Sequence, residues 1–260
     1  MPIIRAHQKQ IYYAHIPKCA GSSVEDYLAD RFGHLALLDR RYLSVPEPDR
    51  WSHTSPQHID WASLSRLFPL DYFDECFAIV RHPVARAVSA FRFQKEVEGT
   101  IPDGTALGEW LQQEQELRAT DPHRSDNHSR PQVEFLPPES GMHCQIFCLE
   151  HGLEALIPYF DQIAGDQASP RFIDHTNKAA GKPKGQEQVA PTDADLARIA
   201  EIYAADFERL GYLPDNPKPL KDVPEVNTDF LAQSRAAKAR AAKPLNKLMI
   251  KALRRLQSQS

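Results

Sequence analysis

Gln10-Ile-Tyr-Tyr-Ala-His15-Ile-Pro17-Lys18-Cys-Ala-Gly21-Ser22-Ser23 is the stretch whose reading decides the fold of this chain. Residues 10–16 form a short, apolar, β-prone run that stops at Pro17. Beyond it lie a glycine, two hydroxyls and helix-compatible sequence from Ser22 to about Phe32. The order strand, loop, helix builds a seat for an anion. Gly21 lets the backbone approach closely, the first N–H groups of a helix have no intrahelical partner, and Lys18 adds a point charge. A Walker-type loop would put Gly-Lys-Ser/Thr in succession, whereas here the lysine precedes the glycine. Taken alone, the stretch reads equally well as a turn and a capped helix.

A second unit repeats the grammar. Tyr72 to Val80 contains Cys-Phe-Ala-Ile-Val, Arg81-His82-Pro83 follows, and Val84 to about Glu96 has helical character. Proline suits a first helical turn because its missing N–H would have no partner there. Two strand-to-helix units in succession predict an α/β fold, a parallel sheet flanked by helices. Arg81 falls at the strand end, placed to fork onto a phosphate, and Ser89 lies a little over two helical turns further on. Arg86 reads as a solvated or ion-paired helix residue.

Outward from these units, residues 44–58 read as a loop, 59–68 as a short helix, 105–119 as a helix and 121–130 as a flexible polar loop. Residues 145–149 suggest a strand, 153–163 a helix, and 174–191 a Gly/Lys/Pro-containing loop. Helical spacing returns over 193–210, with Thr192 or Asp193 as cap and Gly211 as terminator. The domain organisation is an α/β body over 1–213, a proline-rich linker over 214–230 and a basic helical tail over 231–260. In the tail Leu245, Leu248, Met249, Ala252 and Leu256 share a face.

Composition sets the outer bounds. The hydrophobic fraction of 42% and charged fraction of 25% exclude fibrous and wholly disordered classes. The net charge of −4 divides into +7 from Pro217 onward and −11 before it, so phosphate recognition rests on local placement and a nucleic-acid partner is not indicated. The tail has two readings, a helix on an anionic membrane surface or polyanion, and a solvated or self-associating helix. Cys19, Cys76, Cys144 and Cys148 are too scattered for a disulfide framework. Cys144-x-x-x-Cys148 lacks a second pair at zinc spacing. The beginning has no apolar signal region, and nowhere do about 18 apolar residues run together; the expected location is cytoplasmic, with the tail offering a peripheral membrane contact.

His15-Ile-Pro-Lys18-Cys-Ala-Gly21-Ser22-Ser23 and Val80-Arg81-His82-Pro83-Val-Ala-Arg86-Ala-Val-Ser89 together resemble the two nucleotide-binding signatures of sulfotransferases that use 3′-phosphoadenosine 5′-phosphosulfate (PAPS). The match is to the carbohydrate branch, glycan 2-O-sulfotransferase-like, in a soluble bacterial-type form. It extends more weakly to Asn127–Leu136 and Ile202–Tyr212, covering about residues 10–213. The resemblance implies a P-loop-containing, sulfotransferase-like fold. It also implies that Lys18, Gly21, Ser22 and Ser23 hold the 5′-phosphosulfate side, while Arg81 and Ser89 hold the 3′-phosphate.

In the resembling glycan enzymes a histidine before an aromatic-containing segment, upstream of the arginine strand, is the catalytic base. Gln57-His58-Ile-Asp-Trp61 fits that arrangement better than Ser52-His53-Thr54, so His58 is the expected base and His53 the alternative. Lys18 doubles as the catalytic cation against the developing negative charge. No metal is demanded by the chemistry. The expected acceptor is a hydroxyl, on a carbohydrate or glycoconjugate. The competing readings are an inactive nucleotide-binding scaffold of the same fold, and a P-loop kinase, which would need an acidic metal ligand at a strand end.

Overall fold

The computed structural model describes residues 2–174 and 190–242. A mostly parallel sheet runs in the order β1 (Ile3–Ala6), β2 (Lys9–Ala14), β3 (Glu75–Val80) and β4 (Gln145–Cys148). β1 lies antiparallel on β2, whereas β2–β3 and β3–β4 are parallel. Ile11 to Ala14 and Cys76 to Val80 are continuously buried. Unbroken apolar runs of this kind belong to strands covered on both faces. β1, with only four residues, is an element that the sequence reading did not anticipate.

The helices are α1 (Gly21–Phe32), α2 (Trp61–Leu64), α3 (Pro83–Phe93), α4 (Leu107–Arg118), α5 (Leu156–Ala164), α6 (Asp193–Ile202), α7 (Ala204–Leu210) and α8 (Thr228–Ala241). Both predicted strand-loop-helix junctions are present, β2 into α1 and β3 into α3. An aromatic seam ties sheet to helices: Tyr13 stacks on Phe77 at 4.6 Å, and Phe77 meets the edge of Phe160 at 5.0 Å. Among the described residues, no helix is long and apolar enough to cross a membrane.

Three local expectations change. Residues 121–130 are not a flexible loop, because Asp126, Asn127, His128, Ser129 and Arg130 are all buried. Ser125, Asp126 and Asn127 adopt left-handed backbone (φ 51°, 50° and 60°), a strained turn without glycine that surrounding bonds must hold. The helix expected over 193–210 is broken at Tyr203, whose φ of −109° and ψ of 25° separate α6 from α7. The break lets the Tyr203 hydroxyl donate to the Ser129 carbonyl at 2.8 Å. Arg86 is not solvated, and among the described residues it has no ion-pair partner: it is 1% exposed and donates to the carbonyls of Pro17 (3.0 Å) and His128 (3.2 Å).

Thr192 caps α6 through a reciprocal box with Asp195, and Gly211 ends α7 in the left-handed region, both as the sequence predicts. α8 begins at Thr228, inside the stretch read as linker, and buries Phe230. The tail face of Leu245, Leu248, Met249, Ala252 and Leu256 and most of the 174–191 loop lie outside the described residues.

Candidate active site

The β2–α1 junction is an open cradle. Lys18 and Ala20 both take left-handed backbone (φ 69° and 65°), a conformation that turns successive N–H groups toward one point. α1 has no side-chain cap and no acidic residue in its first turn, so its positive end is left facing the cavity. Gly21 is required by contact: a Cβ there would overlap the His15 imidazole. That ring is held by stacking on Tyr13 at 5.2 Å and by the Glu25 carboxylate, whose Oε1 lies 2.7 Å from Nδ1.

The second segment is joined to the first by one buried amide. Gln132 accepts from the Arg81 N–H at 2.9 Å and donates to the Arg81 carbonyl at 2.8 Å, and the Cys19 thiol lies 3.5 Å from its Oε1. The Gln132 and Val133 N–H groups in turn donate to the two oxygens of Asp206, each at 2.9 Å. Arg81 also donates to the Lys18 carbonyl at 3.3 Å. His82 caps α3 by accepting from the Val84 N–H, and its other nitrogen meets the Leu213 carbonyl at 3.0 Å.

Lys18, Gly21, Ser22, Ser23, His58, Arg81 and Ser89 all line one cavity of about 590 Å³. His53 does not line it; it is exposed and stacks on His123 at 6.3 Å. His58 Nδ1 lies 2.6 Å from Asp126 Oδ2. That carboxylate is fixed by the Ser55 N–H at 2.6 Å and the Ser55 hydroxyl at 2.9 Å, while Asn127 donates to the His58 carbonyl at 2.8 Å. Burial opposes ionisation of Asp126, but the bond and charge of His58 outweigh it and hold the carboxyl at about 2. The bond from Nδ1 to Asp126 orients the ring and leaves Nε2 as the nitrogen not engaged by that carboxylate.

The electrostatics of the cradle are set by burial. Desolvation brings the Lys18 ammonium down to about 8, with Arg81 and Arg86 adding to the effect and Glu98 opposing it. Its Nζ rests 3.3 Å over the Phe93 ring. Glu98, carried on a π-helical turn (Gln94–Glu98) after α3, is pushed up to about 7 by burial and by Asp126. His128 is buried, meets His58 ring to ring at 5.2 Å, and is driven well below the usual histidine range by burial and then by His58. Cys19 is pushed up to about 12 by burial, so the thiol of the cradle stays protonated.

Sequence reading missed Asp126, Gln132, Asp206 and Glu98 as parts of the site. Their local sequence carries no signal for Asp126 or Glu98. Gln132 and Asp206 do fall within the two weaker matching segments, which the fold brings together through the Asp206 bonds. Among the described residues, His58, Asp126 and His128 bring candidate metal-ligating atoms within 4.8 Å of one another. The Asp126 oxygens are already engaged by Ser55 and His58, which describes a hydrogen-bonded network. With this geometry in place, comparison with known proteins gives one result: a model described as "Sulfotransferase family" matches residues 1–213. No curated protein and no solved structure matches the chain.

Proposed function

Because the chain belongs to the sulfotransferase family and its activity is therefore sulfuryl transfer, we propose that the donor is PAPS and that the acceptor is a hydroxyl of a carbohydrate or glycoconjugate. One observation carries the reading: both anion-binding segments and a carboxylate-paired histidine line the same cavity. Two separated phosphate seats suit a nucleotide with phosphate at both the 5′ and 3′ positions. Lys18, the first-turn N–H groups of α1, Ser22 and Ser23 bind the 5′-phosphosulfate. Arg81 and Ser89 bind the 3′-phosphate.

In the transfer, the acceptor oxygen forms a bond to sulfur as the bond from sulfur to the 5′-phosphate oxygen breaks. The acceptor proton passes to His58 Nε2, and the products are a sulfate ester and adenosine 3′,5′-bisphosphate. Asp126 holds the imidazole in the tautomer that accepts this proton and stabilises the cation that forms. Lys18 and the α1 N-terminus stabilise the charge that develops on the departing phosphate. A general base of this kind contributes roughly 10²–10⁴ in rate.

Calorimetry with adenosine 3′,5′-bisphosphate and a turnover assay test these roles separately. Lys18→Ala and Arg81→Ala are expected to weaken binding of the bisphosphate; unchanged affinity in either would overturn the nucleotide assignment. For His58→Ala the bisphosphate still binds and turnover falls by roughly 10²–10⁴. Wild-type turnover in that variant would move the base elsewhere.

A further inference from the structure

We infer that the acceptor bound beside His58 is an uncharged sugar, recognised by its hydroxyls and an apolar face, and that the cavity discriminates against anionic sugars. The inference rests on the proposed function, which assigns Lys18, Ser22, Ser23, Arg81 and Ser89 to the nucleotide. The wall left for the acceptor includes Asp26, Asp39, Arg40, Tyr42, Leu43 and Gln57. This group lies on the His58 side of the cavity: Gln57 precedes His58 and exchanges hydrogen bonds with the Asp39 main chain, each at 3.1 Å.

Arg40 is the only lysine or arginine among those described wall residues, and it is already engaged. Its guanidinium donates to Asp26 at 2.7 Å and lies 3.9 Å from Glu25. Glu25 also lines the cavity; burial opposes its ionisation, yet His15 and Arg40 hold it at about 2, so it is charged throughout the neutral range. Asp39 spends one carboxylate oxygen on the Arg41 N–H at 2.8 Å. Even with the His15 imidazole counted as a cation beside Arg40, the carboxylates of Glu25, Asp26 and Asp39 leave this end net negative. A uronate or sulfated sugar entering here meets like charge from carboxylates that outnumber the one arginine, itself paired with Asp26, whereas hydroxyls can donate to the carboxylates.

The apolar part of the same wall explains why a sugar fits. Tyr42 and Leu43 line the cavity, and Leu43 is exposed. Trp51, 69% exposed, sits between two residues that brace Tyr42. Arg50 covers the Tyr42 ring at 5.0 Å, and the Ser52 carbonyl accepts from the Tyr42 hydroxyl at 2.6 Å. An exposed leucine lining a polar cavity suits the C–H face of a pyranose, which is apolar while its edge is hydroxylated.

The test is a matched pair, p-nitrophenyl β-glucoside and p-nitrophenyl β-glucuronide, which differ only in a hydroxymethyl against a carboxylate. Binding of each to the full-length protein saturated with adenosine 3′,5′-bisphosphate is measured by saturation-transfer NMR, so the readout does not depend on turnover. Such small probes report on the cavity rather than on the basic tail. The glucoside is expected to bind about tenfold or more tightly, and Asp39→Asn is expected to narrow the ratio. Equal or tighter binding of the glucuronide, or binding of neither sugar, would overturn the inference while leaving the nucleotide reading intact. Failure of the wild-type protein to bind the bisphosphate in calorimetry would overturn the proposed function and this inference with it.

Discussion

Gly21 owes its place to His15. Its conservative replacement, Gly21→Ala, drives a methyl into an imidazole already fixed by Tyr13 and Glu25 and set edge-on against His58 at 4.9 Å. We expect a loss of about 1–3 kcal/mol, the usual range for overpacking, measured by urea denaturation. Adding His15→Ala should recover most of the packing loss, a coupling that a double-mutant cycle reads directly. A purely additive pair would place the strain elsewhere. At the same scale, the proposed role of Lys18 links nucleotide binding to pH. The free ammonium gives up its proton near 8, below its ordinary value, because burial disfavours the charge. An arriving phosphate restores it, so binding above pH 8 takes up a proton and affinity falls as pH rises, whereas near pH 7 Lys18 is already charged. Calorimetry in buffers of different ionisation enthalpy measures that uptake. A proton count of zero at pH 9 would contradict the assignment.

At the scale of elements, the two strand-loop-helix junctions were legible because each is local: an apolar run, a proline or glycine, and a capped or open helix start, all within about twenty residues. The resemblance pointed to His58, which does line the cavity, whereas nothing local pointed to its partner Asp126. The 121–130 segment has the composition of a solvated loop, and its three left-handed residues are not marked by glycine. They are held by long-range bonds, Ser55 to Asp126 and Asn127 to His58, that no local pattern encodes. The break at Tyr203 was hidden for the same reason, since its hydroxyl answers to Ser129 across the fold. Gln132 is the element-level clamp. Gln132→Leu keeps the volume but strands the Arg81 N–H and carbonyl, at a cost of about 2–4 kcal/mol. It should also weaken adenosine 3′,5′-bisphosphate binding about tenfold; a stability loss with undiminished affinity would show that the clamp serves folding alone. Asp126→Asn is expected to lower turnover by 10-fold or more while bisphosphate affinity stays unchanged, because it disturbs the His58 tautomer and not the nucleotide seats.

For the whole molecule, the α/β plan followed from the alternation of units, and the composition correctly excluded fibrous and disordered chains. What sequence did not disclose was that α8 is docked: Phe230 is buried and Arg171 lies 5.0 Å over its ring. Phe230→Ala is expected to cost about 3 kcal/mol in thermal or chemical unfolding and to leave bisphosphate affinity unchanged. Weakened binding would instead couple α8 to the site. The Gln132 clamp has a consequence beyond stability. The segments that carry Lys18 and Arg81 are tied together through Gln132, Asp206 and Arg86, none of which lies between residues 33 and 53. The Asp39, Arg40, Tyr42 and Leu43 part of the cavity wall can therefore change charge or shape by substitution while the bonds that join the Lys18 and Arg81 segments stay as they are.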